Sequence, residues 1–122
     1  MKEIIYIFIG GGTGSVLRYL VHLLINEKGG ISNFPWATFI VNIAGSLLIG
    51  IFYSISERFH LPSEVRLFLT VGLCGGFTTF STFSNESLWM LKEGWYTTFF
   101  LYVILSIGLS IAAVIVGSFL AK

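Results

Sequence analysis

The chain has 122 residues, 55% of them hydrophobic and 11% charged, with a mean hydropathy of +0.88 and a formal net charge of +1. So apolar a composition excludes a globular domain whose surface faces water, and the seven scattered Lys and Arg residues exclude the basic footprint of a nucleic-acid binder. The single cysteine, Cys74, excludes an intrachain disulfide and reads as a small buried hydrophobe.

Four apolar stretches cover nearly the whole sequence: Ile4 to Ile25, Trp36 to Ser56, Val65 to Leu91 and Thr97 to Ala121. Each approaches the ~20 residues a helix needs to cross the bilayer core. The pattern predicts an all-α integral membrane protein, a single four-helix transmembrane domain over residues 1–122 with no soluble domain. The first stretch follows Lys2 as a secretion signal would, but it is long, carries Arg18 and lacks a small-residue cleavage site before Asn26. It reads as a retained span.

On the first span Gly10, Gly14, Arg18 and His22 recur at every fourth residue and share a helical face. Gly10 and Gly14 form a small-xxx-small pair that lets another helix approach closely. Arg18 costs ~2.5–3.5 kcal/mol at the centre of a membrane helix, so it is read either as an interfacial anchor that snorkels or as a functional cation. His22, one turn further out, reads as interfacial, without a mechanistic role.

The connection from Asn26 to Pro35, with its Gly29-Gly30 pair, leads to the second span. There Thr38, Asn42 and Ser46 repeat the four-residue spacing beside Gly45. Asn42 brings two donors and an acceptor to mid-membrane depth, for an interhelical hydrogen bond or for a ligand. The next connection, Glu57 to Glu64 with Pro62, joins charges to a helix breaker, as does Lys92 to Tyr96 with Gly94. Lys2, Arg58, Arg66 and Lys122 fall on one side of the membrane and Lys28 and Lys92 on the other. That bias of four to two places the termini in the cytoplasm. A bias this small fits first an ordinary small protein with modest topogenic signals, and also a chain that inserts in both orientations so that its copies pair antiparallel.

The third span contains "CGGFTTFSTFSNES", Cys74 to Ser87. Gly75-Gly76 followed by Thr78, Thr79, Ser81 and Thr82 has low helix propensity and offers the backbone competing hydrogen bonds, which predicts an interruption near the middle of the span. An interruption strands carbonyls on one side and N–H groups on the other, and lipid satisfies neither. The carbonyls around Gly75 to Thr78 suit a cation, while the following helix N-terminus favours an anion. With helix resuming near Thr79, Phe80, Phe83, Ser84 and Ser87 fall on one face. The rings there either pack or present electropositive edges to an anion. Glu86 needs a partner at this depth; pairing with Arg18 and a position near the aqueous end are both open.

The fourth span carries Thr98, Tyr102, Ser106 and Ser110, again four apart. Three polar stripes and a broken helix point to a hydrated or ion-lined interior. Four helices without an internal repeat hardly suffice to bury the break and enclose a path, so an antiparallel dual-topology homodimer is expected, with the break at or near its axis.

Three segments, "GGGTGSVLRY" (Gly10 to Tyr19), "TFIVNIAGS" (Thr38 to Ser46) and "GLCGGFTTFSTFSNE" (Gly72 to Glu86), resemble the CrcB/Fluc family of fluoride channels over essentially the whole chain. The third is the most specific. The resemblance implies a passive, fluoride-selective anion channel in the inner or plasma membrane that exports cytoplasmic fluoride through an antiparallel homodimer, with a structural sodium ion at the interface. By the motif positions, the carbonyls of Gly75 and Thr78 would hold sodium. Asn42, Thr79, Phe80, Phe83, Tyr102, Ser106 and Ser110 would line the fluoride path, and Arg18 and Thr38 would stand at its mouth.

Two rival readings differ in testable ways. A proton-coupled exporter of the small multidrug resistance type resembles its relatives in a glutamate on the first span, and Ile4 to Ile25 contains no carboxylate. A membrane assembly subunit would use the stripes as packing and tolerate Phe80→Ile and Phe83→Ile. An enzyme is not expected, because no paired carboxylates, metal-ligand spacing or nucleophile with a base share a face.

Overall fold

The computed structural model describes residues 1–29 and 34–122. Among them are four helical segments long and apolar enough to cross a membrane, Lys2–Ile25, Trp36–Phe59, Ser63–Lys92 and Tyr96–Leu120. The chain is thus an all-helical, multi-pass membrane protein, and the four apolar stretches of the sequence each became one span. The first helix continues to Gly29, past the end expected at Ile25; residues 30–33 of the first connection lie outside the described residues.

The other two connections are tighter than their composition suggested. The second helix ends at Phe59, capped by the left-handed backbone of His60 (φ 52°), and Leu61 N–H donates to Ser56 C=O at 3.1 Å just before Pro62. The third span ends at Lys92, and Gly94, at φ 79°, turns the chain so that Trp95 N–H donates to Met90 C=O at 2.9 Å.

The helices pack in two pairs. The first span lies against the upstream half of the third, and the second against the fourth. In the first pair the contact is backbone on backbone: Gly10 and Gly14 are buried, and a Cβ on Gly14 would collide with Leu73 C=O and come within 2.8 Å of Phe77 N. Opposite, a Cβ on Gly76 would strike the backbone of Gly11. In the second pair Ser54 Oγ donates to Ser118 C=O at 2.9 Å. The downstream half of the third span closes one end, where Phe39, Phe83, Met90 and Tyr102 form the apolar cluster.

The third span is built from Ser63–Leu67, a π-helical stretch Phe68–Cys74, a single turn Gly75–Phe77 and, after a break, helix Ser81–Lys92. The break falls within the stretch on which it was expected, at its threonines and not at its glycine pair, and helix resumes at Ser81, slightly later than the expected position near Thr79. Gly75 keeps helical dihedrals (φ −62°, ψ −38°), and the chain leaves the helix at Thr78 (φ −81°, ψ 160°). The reason is packing: Gly76 supplies the flat surface the first span needs, whereas Thr78 and Thr79 find side-chain partners that replace helical ones.

Candidate functional site

Asn42 is the residue that makes the break possible. Its Oδ1 accepts from Thr79 N–H at 2.8 Å, and its Nδ2 donates to Thr79 C=O at 3.0 Å. One amide therefore satisfies both backbone groups of the residue at the centre of the break, which otherwise would lie unpaired at membrane depth. Thr79 N–H is the group that would have closed a helical bond to Gly75 C=O, so that carbonyl loses its helical donor. Thr78 Oγ1 donates to Cys74 C=O at 2.9 Å, and Thr82 N–H to Thr79 Oγ1 at 3.2 Å, covering the two helix ends. Gly45 leaves the space for this bend, because a Cβ there would collide with the Thr78 side chain and approach Phe77 to 3.3 Å.

Beside the break lies an open groove of about 320 Å³, lined by Asn42, Ser46, Gly75, Thr78, Thr79, Phe80, Phe83, Ser106 and Ser110, with Gly45, Ile49, Cys74 and Ile107. The groove thus joins the four-apart polar residues of the second and fourth spans to the broken stretch of the third, while the stripe of the first span does not reach it. Ser106 is 5% exposed, and its Oγ is the one buried side-chain polar atom among the described residues without a hydrogen-bond partner. Buried hydroxyls are normally paired, so this one is available to something the groove holds.

Phe80 and Phe83 both line the groove, as expected of neighbours on one face, but they are buried to very different degrees. Phe83 is 8% exposed and packs on Tyr102 with ring centroids 5.0 Å apart, whereas Phe80, before the helix resumes, is 77% exposed. The rings remain neighbours at 5.6 Å. Of the hydroxyls placed on that face, Ser84 is exposed and Ser87 donates to Phe83 C=O at 2.8 Å.

Arg18, Thr38 and Tyr102 do not line the groove. Arg18 Nε donates to Gly76 C=O at 3.2 Å, so the arginine ties the first span to the last turn before the break. Thr38 and Tyr102, both 0% exposed, stand one turn from Asn42 and Ser106 along the same stripes. There Tyr102 OH donates to Glu86 Oε1 at 3.0 Å, Glu86 faces Thr38 as well, and Thr38 Oγ1 meets His22 Nε2 at 3.2 Å. Glu86 is therefore partnered by Tyr102, not by Arg18, and His22 belongs to a polar cluster instead of standing apart at the surface. Sequence reasoning had no signal for the His22–Thr38 contact, which joins two spans, nor for the π-helical stretch, whose residues Phe68 to Cys74 read as ordinary helix.

A family model described as CrcB-like protein, Camphor Resistance (CrcB), matches residues 5–118. A fluoride-specific ion channel FluC of Bacteroides fragilis is 61% identical, covering 100% of this chain and 98% of that one. The FluC of Phocaeicola vulgatus is 56% identical over 100% of both chains, and that of Flavobacterium psychrophilum 50% identical over 100% of this chain and 98% of its own. These relatives bear the name of ion channels, not enzymes. With its motifs, its four spans and this match over nearly its full length, the chain belongs to the CrcB family.

Proposed function

We propose that the protein is a passive, fluoride-selective channel of the inner or plasma membrane that lets cytoplasmic fluoride leave down its electrochemical gradient. The observation that carries this reading is the groove, where amide, hydroxyl and aromatic side chains converge beside a helix break without a carboxylate among them. Fluoride is small and tightly hydrated, so a path for it must replace water with donors that release as readily as they bind. Ser106 Oγ has no partner among the described residues, and the second N–H of the Asn42 amide remains after the first goes to Thr79. Ring edges of Phe80 and Phe83 add weak positive potential without a full charge. The relatives' name, fluoride-specific ion channel, agrees with this chemistry.

The functional unit in this reading is an antiparallel dual-topology homodimer. A groove lined by hydroxyls and open at its side is incompatible with lipid, and an exposed Phe80 beside it offers an apolar surface for a second copy. The same geometry fits a structural sodium ion. Gly75 is exposed and its carbonyl has lost its helical donor, and Thr78 turns out of the helix. Two carbonyls from each copy would supply four neutral oxygens, a donor set suited to a hard monovalent cation. Such an ion would offset the stranded carbonyls and add positive potential near the anion path.

The test is fluoride efflux from liposomes holding the purified protein, with potassium and valinomycin setting the voltage and chloride as the comparison anion. Rapid fluoride loss without chloride loss is expected. A folded protein that releases neither anion would sink the channel reading and leave the polar stripes as packing.

A further inference from the structure

His22 has hydrogen-bond partners on both ring nitrogens, and the partners are of different kinds. Nδ1 lies 2.9 Å from Arg18 C=O, which only accepts. Nδ1 must therefore carry a proton. In the neutral ring Nε2 is then bare, and the hydroxyl of Thr38, 3.2 Å away, must be its donor. But Thr38 has one hydroxyl proton and also faces the Glu86 carboxylate, which otherwise receives the phenol of Tyr102 at 3.0 Å. Two acceptors compete for one proton.

We propose that His22 is a proton-operated positioning residue of this cluster: neutral, it holds the Thr38 hydroxyl proton; protonated, it donates to Thr38 Oγ1 and turns that proton onto Glu86, while adding positive charge beside the anion path. The proton balance closes: one proton enters the ring at Nε2, and the Thr38 proton changes acceptor without leaving oxygen. Among the described residues, the charged or titratable groups about the ring are Glu86, from the downstream half of the third span, and Arg18, one turn away on its own helix; Tyr102 stands behind Glu86, and the second span presents uncharged Thr38. Imidazole is the side chain whose charge changes closest to neutral pH. Thr38 and Tyr102 continue the stripes that line the groove through Asn42 and Ser106, so a change in the cluster falls at the end of the same path.

This inference rests on the fluoride-channel reading for its effect on current, but its hydrogen-bond arrangement does not. Voltage-clamped fluoride current through the protein in a planar bilayer, which counts ions and not neutral hydrogen fluoride, is measured between about pH 8 and about pH 6. The current is expected to rise roughly twofold or more on acidification, as added positive charge draws anions in, and His22→Gln is expected to flatten that rise. A conducting channel with no such rise, or a His22→Gln variant that keeps it, overturns the role in conduction. Independently, histidine-labelled His60→Gln protein, whose remaining imidazole is His22, is studied by nitrogen-15 NMR in liposomes at high pH. A ring protonated at Nδ1 and bare at Nε2 is the expected result, and the opposite tautomer overturns the arrangement. Loss of all current with the expected tautomer would strike the channel reading alone.

Discussion

The seam between the first span and the upstream half of the third and the groove on the other side of that half use small residues to opposite ends. In the seam, Gly14 and Gly76 bring two backbones so close that a Cβ has no room. In the groove, Asn42, Thr78 and Thr79 hold a backbone apart from its own helix. The lesson concerns what a glycine pair means inside a membrane helix. Gly75-Gly76 looks like a break, yet Gly75 is helical and Gly76 is a contact surface, because without Cβ atoms the helices gain dispersion contacts that lipid does not offer. The break falls where side chains can replace the lost helical bonds, two to three residues later.

The sharpest way to break this comparison is to fill the seam. Gly14→Val should cost about 3 kcal/mol or more, the upper range for overpacking, and lower the thermal midpoint in detergent. Gly12, exposed and with nothing near an added Cβ, should accept Val within about 0.5 kcal/mol. Equal melts for the two variants would mean that the seam is not locked.

The two phenylalanines divide structure from function in the groove. Phe83→Ala removes a ring from the apolar cluster and should cost about 3–5 kcal/mol, while exposed Phe80→Ala should leave the stability of a single chain within about 0.5 kcal/mol. Both should cut fluoride current. A Phe80→Ala channel with unaltered current would return that ring to a packing role.

Asn42→Ala tests the clasp itself. It leaves both backbone groups of Thr79 unpaired, at about 1–3 kcal/mol for each, and removes a donor from the proposed path, so unfolding temperature and fluoride efflux should fall together. Replacing sodium by N-methylglucamine should destabilise the proposed dimer by about 3 kcal/mol if the proposed ion is normally present at about a hundred times its dissociation constant. A dimer melt unaffected by the exchange would count against the sodium site.

The smallest expected effect on folding is at Ser106. Its buried hydroxyl has no partner among the described residues, so Ser106→Ala should be neutral or stabilising by up to about 1 kcal/mol while lowering fluoride current. A destabilised Ser106→Ala would show that the hydroxyl is already satisfied and is not kept for an ion.

The four spans, their approximate ends and the polar stripes of the second and fourth spans that line the groove were legible in the sequence, because hydropathy and a four-residue spacing are local properties of a helix in lipid. Gly10 and Gly14 at a close helix contact were legible for the same reason. What tertiary structure alone decided is who meets whom across spans: Asn42 with Thr79, Arg18 with Gly76 C=O, Glu86 with Tyr102, and His22 with Thr38. In lipid every polar group must find a partner, but spacing along one helix does not say which neighbouring helix supplies it. That choice depends on crossing geometry, and here the glycines of the seam set it by fixing how near the first and third spans come and so where the third helix gives way.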